Sequence, residues 1–309
     1  MANIFITGAS GFIGRPLTKR LVSEGHSVKA LVRSTQSSDV VAELGAEPVY
    51  GELTDPATWQ DAVRGSEVMF HLAAETDVTA PRAQQDRATV YGTIATLAAA
   101  ATAGVTRFVH CSSEAVLLDG EPLVNVDETA PLRPNSPAAY AATKARAEQI
   151  VLAANSGTMT TVAIRPKLVW GPGSFIEGLP SAAANGDFVW IDGGAFDATV
   201  THVDNAVEGL ILGWRRGEGG EAYFVADGDP VNFREFMEEQ FAVYGYAGSI
   251  VTVTGAEADA IVPAPARWFF GQTLTLNIAK ARADLAYEPV TSHSDGIAAL
   301  EASRRELLP

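Results

Sequence analysis

Of the 309 residues, one is cysteine, Cys111, and five are lysine. A single thiol cannot close an internal disulfide, which excludes a disulfide-stapled scaffold and points to a reducing, cytoplasmic setting. The five histidines are scattered without metal-ligand spacing, so no metal centre is expected. No apolar run approaches the ~20 residues of a membrane-spanning helix. No basic stretch with a cleavage pattern precedes the first strand-like segment, which argues against a signal peptide. Cations are scarce: 22 lysines and arginines against 37 acids leave a formal charge of −15. Such a surface repels phosphate backbones and argues against nucleic acid as a partner. The excess of acid fits an acidic protein from a GC-rich genome or an adaptation to salt.

What is present is a regular alternation. With 47% hydrophobic residues the chain can bury a large core. Strand-like runs fall at Asn3–Thr7, Ser27–Arg33, Glu47–Gly51, Val68–Leu72, Arg107–Ser112 and Thr160–Arg165. Helical patterns separate them at Phe12–Glu24, Pro56–Arg64, Arg82–Ala103 and Pro137–Asn155. In the first of these, Ile13, Leu17 and Leu21 recur on one face. Alternating strands and helices predict an α/β fold, a Rossmann-type doubly wound parallel sheet. After Lys167 the rhythm breaks. The expected division is a dinucleotide-binding domain at 1–166, rejoined by 202–227, and a smaller substrate-binding lobe made of 167–201 and 228–309.

At the first strand–helix junction stands TGASGFIG, Thr7 to Gly14. Gly8, Gly11 and Gly14 permit a tight turn, close approach of a pyrophosphate, and close packing of helix on strand. Ser10, Phe12 and Ile13 complete this cofactor-binding turn. At the end of the second strand an NAD-binding site usually places an acid on the ribose 2′-hydroxyl. Here Arg33 and Ser34 stand instead, and a guanidinium beside a hydroxyl suits a 2′-phosphate, so NADP is expected over NAD.

Tyr140 and Lys144 are four apart on a predicted helix and share a face. A neighbouring ammonium favours the phenolate and brings the tyrosine towards a working acid and base. Ser112 and Ser113, at the end of the preceding strand, add a hydroxyl that could orient a substrate oxygen.

Together these motifs resemble the extended branch of the short-chain dehydrogenase/reductase superfamily. The resemblance spans nearly the whole chain, through TGASGFIG, GELTD, His71–Ala74, FVHCSSEAV, YAATK, Arg165–Pro166 with WGPG, and HVDN. It implies that Tyr140 is the acid/base, that Lys144 binds the nicotinamide ribose, and that Ser113 polarises the substrate oxygen. It also implies that Glu52 and Leu53 contact the adenine. Leu72, Ala73 and Ala74 would follow the cofactor backbone, with Pro166, Lys167 and Val169 near the nicotinamide. Thr89 departs from the family pattern, which has asparagine there. Leu117 and Leu118 replace a usual Tyr-Gly.

Nucleotide-sugar enzymes of this branch carry an arginine to grip the diphosphate, and the corresponding position here is Ala198. The region beyond Lys167 is instead apolar, with Leu168, Phe188 and the run Trp268–Phe270. Ser113, Glu114, Trp170, Trp190, Phe196 and Trp268 are the expected substrate-lining residues. The pattern resembles the branch of 3β-hydroxysteroid dehydrogenase-like and flavonol-reductase-like enzymes. It implies an oxidoreductase on a bulky apolar carbonyl or alcohol. An epimerase or dehydratase that retains its cofactor, and a non-catalytic NADP sensor, stay open as alternatives. A homodimer is implied, paired through the alanine-rich helices around Ala98 and Ala141.

Overall fold

The computed structural model describes residues 1–307. Six strands follow the apolar runs: β1 (Asn3–Thr7), β2 (Ser27–Val32), β3 (Glu47–Tyr50), β4 (Val68–His71), β5 (Arg107–Cys111) and β6 (Thr160–Pro166). A seventh, β7 (Glu221–Val225), closes one edge, and all pair in parallel in the order β7-β6-β5-β4-β1-β2-β3. Central strands buried on both faces read as continuous apolar runs. In β1, Ile4 and Ile6 enter one core layer while Phe5 enters the other.

The helices are α1 (Gly14–Ser23), α2 (Thr35–Glu43), α3 (Gly92–Ala103), α4 (Ala139–Ala153) and α5 (Val203–Arg216). Helices α1 and α5 pack together on one face of the sheet, and α3 and α4 on the other. Pro56–Arg64 is two short 3₁₀ turns rather than one helix. The long pattern at Arg82–Ala103 is interrupted by a wide π-turn at Asp86–Tyr91. Helix α2 is not evident in the sequence pattern.

Beyond β6 the chain builds a second core. Trp170 and Trp190 are buried among Phe233, Phe236 and Phe241. The Trp170 indole donates to Asp227 Oδ2 at 2.6 Å. Phe196 stacks on Phe233 with ring centroids 4.9 Å apart. These three aromatics therefore hold the lobe together instead of lining a pocket. No helix among the described residues is long and apolar enough to cross a membrane.

His71 ends β4 at the centre of the sheet. The Thr93 hydroxyl donates to the Thr89 carbonyl at 2.6 Å, so it can only accept from His71 Nε2, 2.9 Å away. The other ring nitrogen then accepts from the Thr7 hydroxyl at 2.7 Å. Both partners suit the neutral ring, and burial drives its pKa down to about 3. His110, stacked on His71 at 5.4 Å, is pushed down by burial as well. A base with a depressed pKa gives stability that is complete above the unfolded-state pKa, near 6.5, and lost as pH falls towards the folded value. At ~1.4 kcal/mol per unit, His71 alone removes about 3 kcal/mol between pH 7 and pH 4. Urea unfolding of His71→Asn should therefore be less pH-dependent than that of the parent over this interval. Equal slopes would refute the assignment.

Candidate active site

The strand order reverses between β1 and β4, and ligands of open α/β sheets gather at the carboxyl ends beside such a point. There the chain leaves a cavity of about 1050 Å³. One end is walled by the glycine turn, Arg33, Glu52 and Leu53, the middle by Leu72–Thr76, and the inner end by Ser113, Glu114, Tyr140 and Lys144. Pro166, Lys167, Leu168 and Val169 continue the inner wall from β6.

The glycines at this turn are sterically fixed. Gly8 has φ +80°, and a Cβ there would lie 2.8 Å from the amide nitrogen of Ala73. A Cβ on Gly14 would lie 2.1 Å from the Gly8 carbonyl oxygen. Gly8 thus lets β1 and β4 approach at their ends, while Gly14 lets α1 start against the turn. No side chain caps α1; the Arg15 amide donates to the Gly11 carbonyl at 3.0 Å and Pro16 has no N–H, which leaves the amides of Ile13 and Gly14 to face an anion. Together with Ser10, Gly11, Phe12 and Ile13 on the wall, this end fits the pyrophosphate of a dinucleotide.

At the end of β2, Arg33 is exposed on the cavity rim. Ser34 does not join it. Its hydroxyl caps α2, accepting from the Ser37 amide at 3.2 Å and donating to the Ser37 hydroxyl at 3.1 Å. The residue placed beside Arg33 is Ser37.

The inner end is drier. Tyr140 meets Phe269 edge to face at 5.9 Å. The Ser113 hydroxyl donates to Glu114 Oε2 at 2.7 Å and lies close enough to Tyr140 to favour its ionised form. The Lys144 ammonium, one helical turn along α4, donates to the Cys111 carbonyl at 2.7 Å. The expected lowering of the Tyr140 pKa is not found. Burial first, then the Glu114 charge, hold the phenol above its ordinary value, so Tyr140 is a proton donor at neutral pH. Burial also raises the Cys111 thiol, which leaves it a poor nucleophile.

Behind this trio stands Glu148, another turn along α4. It accepts from Ser112 Oγ at 2.6 Å, Arg165 Nε at 2.9 Å and Arg165 Nη2 at 2.5 Å, all buried. Arg165 thus points into the protein, away from the cavity that Pro166 lines. The spacing Tyr140, Lys144, Glu148 on one helix stripe carried the signal, but the carboxylate was not recognisable without its partners. Thr89 accepts from the Glu75 amide at 3.2 Å and so secures the loop after β4.

The apolar walls come from Leu168, Phe175, Phe269 and Phe270. Trp268, expected there, packs behind them, its indole 3.2 Å from where a Cβ on Gly120 would be. Ala198 is buried in the lobe and offers nothing to a diphosphate. Among the described residues no three metal-ligating side chains lie together.

Comparison with known proteins identifies the chain's relatives. The model of the 3-beta hydroxysteroid dehydrogenase/isomerase family matches residues 5–253. A 4-hydroxy-2-methyl-3-oxo-4-farnesyl-3,4-dihydroquinoline-1-oxide ketoreductase of Stigmatella aurantiaca is 41% identical, over 96% of this chain and 95% of its own. A 2-alkyl-3-oxoalkanoate reductase of Stenotrophomonas maltophilia (strain K279a) is 32% identical, over 97% and 98%. Among solved structures, MoeE5 in complex with UDP-glucuronic acid and NAD has a TM-score of 0.78 at 26% identity, covering 99% of this chain and all (100%) of that one.

Proposed function

Because this chain belongs to the 3-beta hydroxysteroid dehydrogenase/isomerase family of extended short-chain dehydrogenases/reductases, we propose that it is an NADP(H)-dependent reductase of a bulky, largely apolar ketone. The observation that carries this reading is the joining of two ends of one cavity: Arg33 at the dinucleotide end, Ser113, Tyr140 and Lys144 at the other. Bound there, a nicotinamide supplies hydride to a carbonyl carbon or accepts it from an alcohol. The chain's own residues do the rest. Ser113 turns its hydroxyl towards the substrate oxygen and holds it in line with Tyr140. Tyr140, kept protonated by its surroundings, gives its phenol proton to that oxygen as charge builds there. Lys144, tied to the end of β5, reaches the cofactor ribose and steadies the resulting phenolate. Leu168, Phe175, Phe269 and Phe270 exclude water and hold the hydrocarbon body.

One curated relative is named as a ketoreductase of a 3-oxo compound that bears a farnesyl group and another as a reductase of 2-alkyl-3-oxoalkanoates, which supports a ketone as substrate. Ala198 weighs against a nucleotide-sugar epimerase or dehydratase. A reductase consumes reduced cofactor stoichiometrically, so absorbance of NADPH with a panel of ketones tests the class. Product formation without net loss of NADPH would favour the alternative.

For the cofactor, Arg33 with Ser37 beside it suits a 2′-phosphate. Arg33→Asp should weaken NADP binding by about 2 kcal/mol or more, roughly thirtyfold, since attraction becomes like-charge repulsion. Calorimetry of the unmodified protein that found NAD bound as tightly as NADP would overturn this. We propose also that two copies pair through α3 and α4. Tyr91 and Ile94, at the start of α3, are 60% and 45% exposed and give that surface an apolar patch. A monomeric mass by light scattering at micromolar concentration would refute pairing.

A further inference from the structure

The proton-transfer residues leave two ionisable side chains unexplained at the inner end of the cavity, Glu114 and Lys167. They are 3% and 1% exposed. An ammonium so deeply buried is costly unless something accepts its protons. Lys144 meets that need at the Cys111 carbonyl. Lys167 does not. Its backbone amide donates to Thr201 Oγ1 at 3.1 Å, but its ammonium has no hydrogen bond and no ion pair within 4 Å among the described residues. Burial lowers the Lys167 pKa, and Glu114 is the charge that works against this, yet its Oε2 is engaged by the Ser113 hydroxyl. A buried amine with unused donors therefore faces the same space as the reacting groups.

We propose that Lys167 is a specificity residue that receives a carboxylate of the substrate, carried close to the reacting carbonyl, so that the ketone is an oxo acid with a hydrocarbon body. This rests on the reductase reading for the carbonyl but not for the carboxylate. The anion would enter as the missing acceptor for Lys167, while Glu114, next to Ser113, keeps the carbonyl end apart from it. Burying both ions together is favourable only with this direct contact, which is what gives the site its selectivity.

The test compares three probes on the NADPH-loaded protein: 2-methyl-3-oxodecanoate, its methyl ester, and decanoate as a non-reacting acid. The parent should reduce the acid with a kcat/KM at least about tenfold above the ester, and Lys167→Met should erase that preference. Lys167→Arg should keep it in part. Decanoate binding by calorimetry should weaken by about tenfold or more in Lys167→Met, and by more than NADPH binding does. Because an unpaired buried charge is removed, Lys167→Met should also melt no lower than the parent. An acid preference that survives Lys167→Met, or a loss of NADPH affinity in its place, would overturn the proposal. If decanoate binding depends on Lys167 while no ketone consumes NADPH, the reductase reading fails and the carboxylate site stands.

Discussion

Tyr140→Phe should lower the turnover of a ketone by about 10²–10⁴-fold, the usual range for a positioned proton donor. The change removes one hydroxyl and leaves the ring against Phe269, so the wall of the cavity is kept. NADPH affinity should stay within a few-fold, because the phenol acts on the oxygen of the reacting group rather than on the bound dinucleotide. The raised pKa of the parent tyrosine adds a pH signature. Reduction needs the protonated phenol, so its rate should be level through neutral pH and fall only in strong alkali, whereas alcohol oxidation should climb with pH. A folded, NADPH-loaded Tyr140→Phe protein that reduced its ketone within a few-fold of the parent would remove Tyr140 from the chemistry.

The second large effect is on stability. Glu148 and Arg165 form a buried pair, 0% and 3% exposed, with the guanidinium also over the Phe224 ring at 5.2 Å. Truncating one member leaves the other charged, buried and unpartnered, so Glu148→Ala should cost about 3–5 kcal/mol. Replacing both with apolar residues, Glu148→Leu with Arg165→Met, should recover much of that loss, since desolvation of two ions is then avoided. Urea unfolding checks both. A cost below about 1 kcal/mol for Glu148→Ala would mean that water reaches the pair. Activity should fall too in Glu148→Ala, because Ser112 loses its acceptor directly beside Ser113.

Much of this architecture could be read from the amino-acid order. Strands β1, β2, β4, β5 and β6 are short apolar runs between glycines and polar turns, and parallel strands inside the sheet must look that way, whereas β3 lies at the edge with no buried residue. The glycine turn and the Tyr140–Lys144 stripe depend on neighbours in sequence, so they too were legible. Helix α2 was not, because Thr35–Glu43 is held by the Ser34 cap and by Val41 in the core rather than by a long apolar stripe. Expectation and structure part most clearly at the aromatics. Trp170, Trp190 and Phe196 have the size and polarity of pocket residues, but they pack with Phe233, Phe236, Met237 and Phe241 into the lobe's own core. Phe269 and Phe270 line the cavity because the short helix Ala264–Phe270 ends over it, a fact of long-range packing. Ser34, expected at the phosphate, caps α2 instead, and Ser37 lines the cavity.

The short helix ending in Phe269 and Phe270 has a further consequence. Residues that move protons sit just after β5 and on α4, and the residue that suits a phosphate sits just after β2, whereas these two rings arrive from more than a hundred positions downstream. Substrate range and reaction are therefore written in separate passages of the polypeptide. Transplanting this stretch between relatives would alter part of what is recognised, alongside Leu168 and Phe175, without disturbing what is done to it.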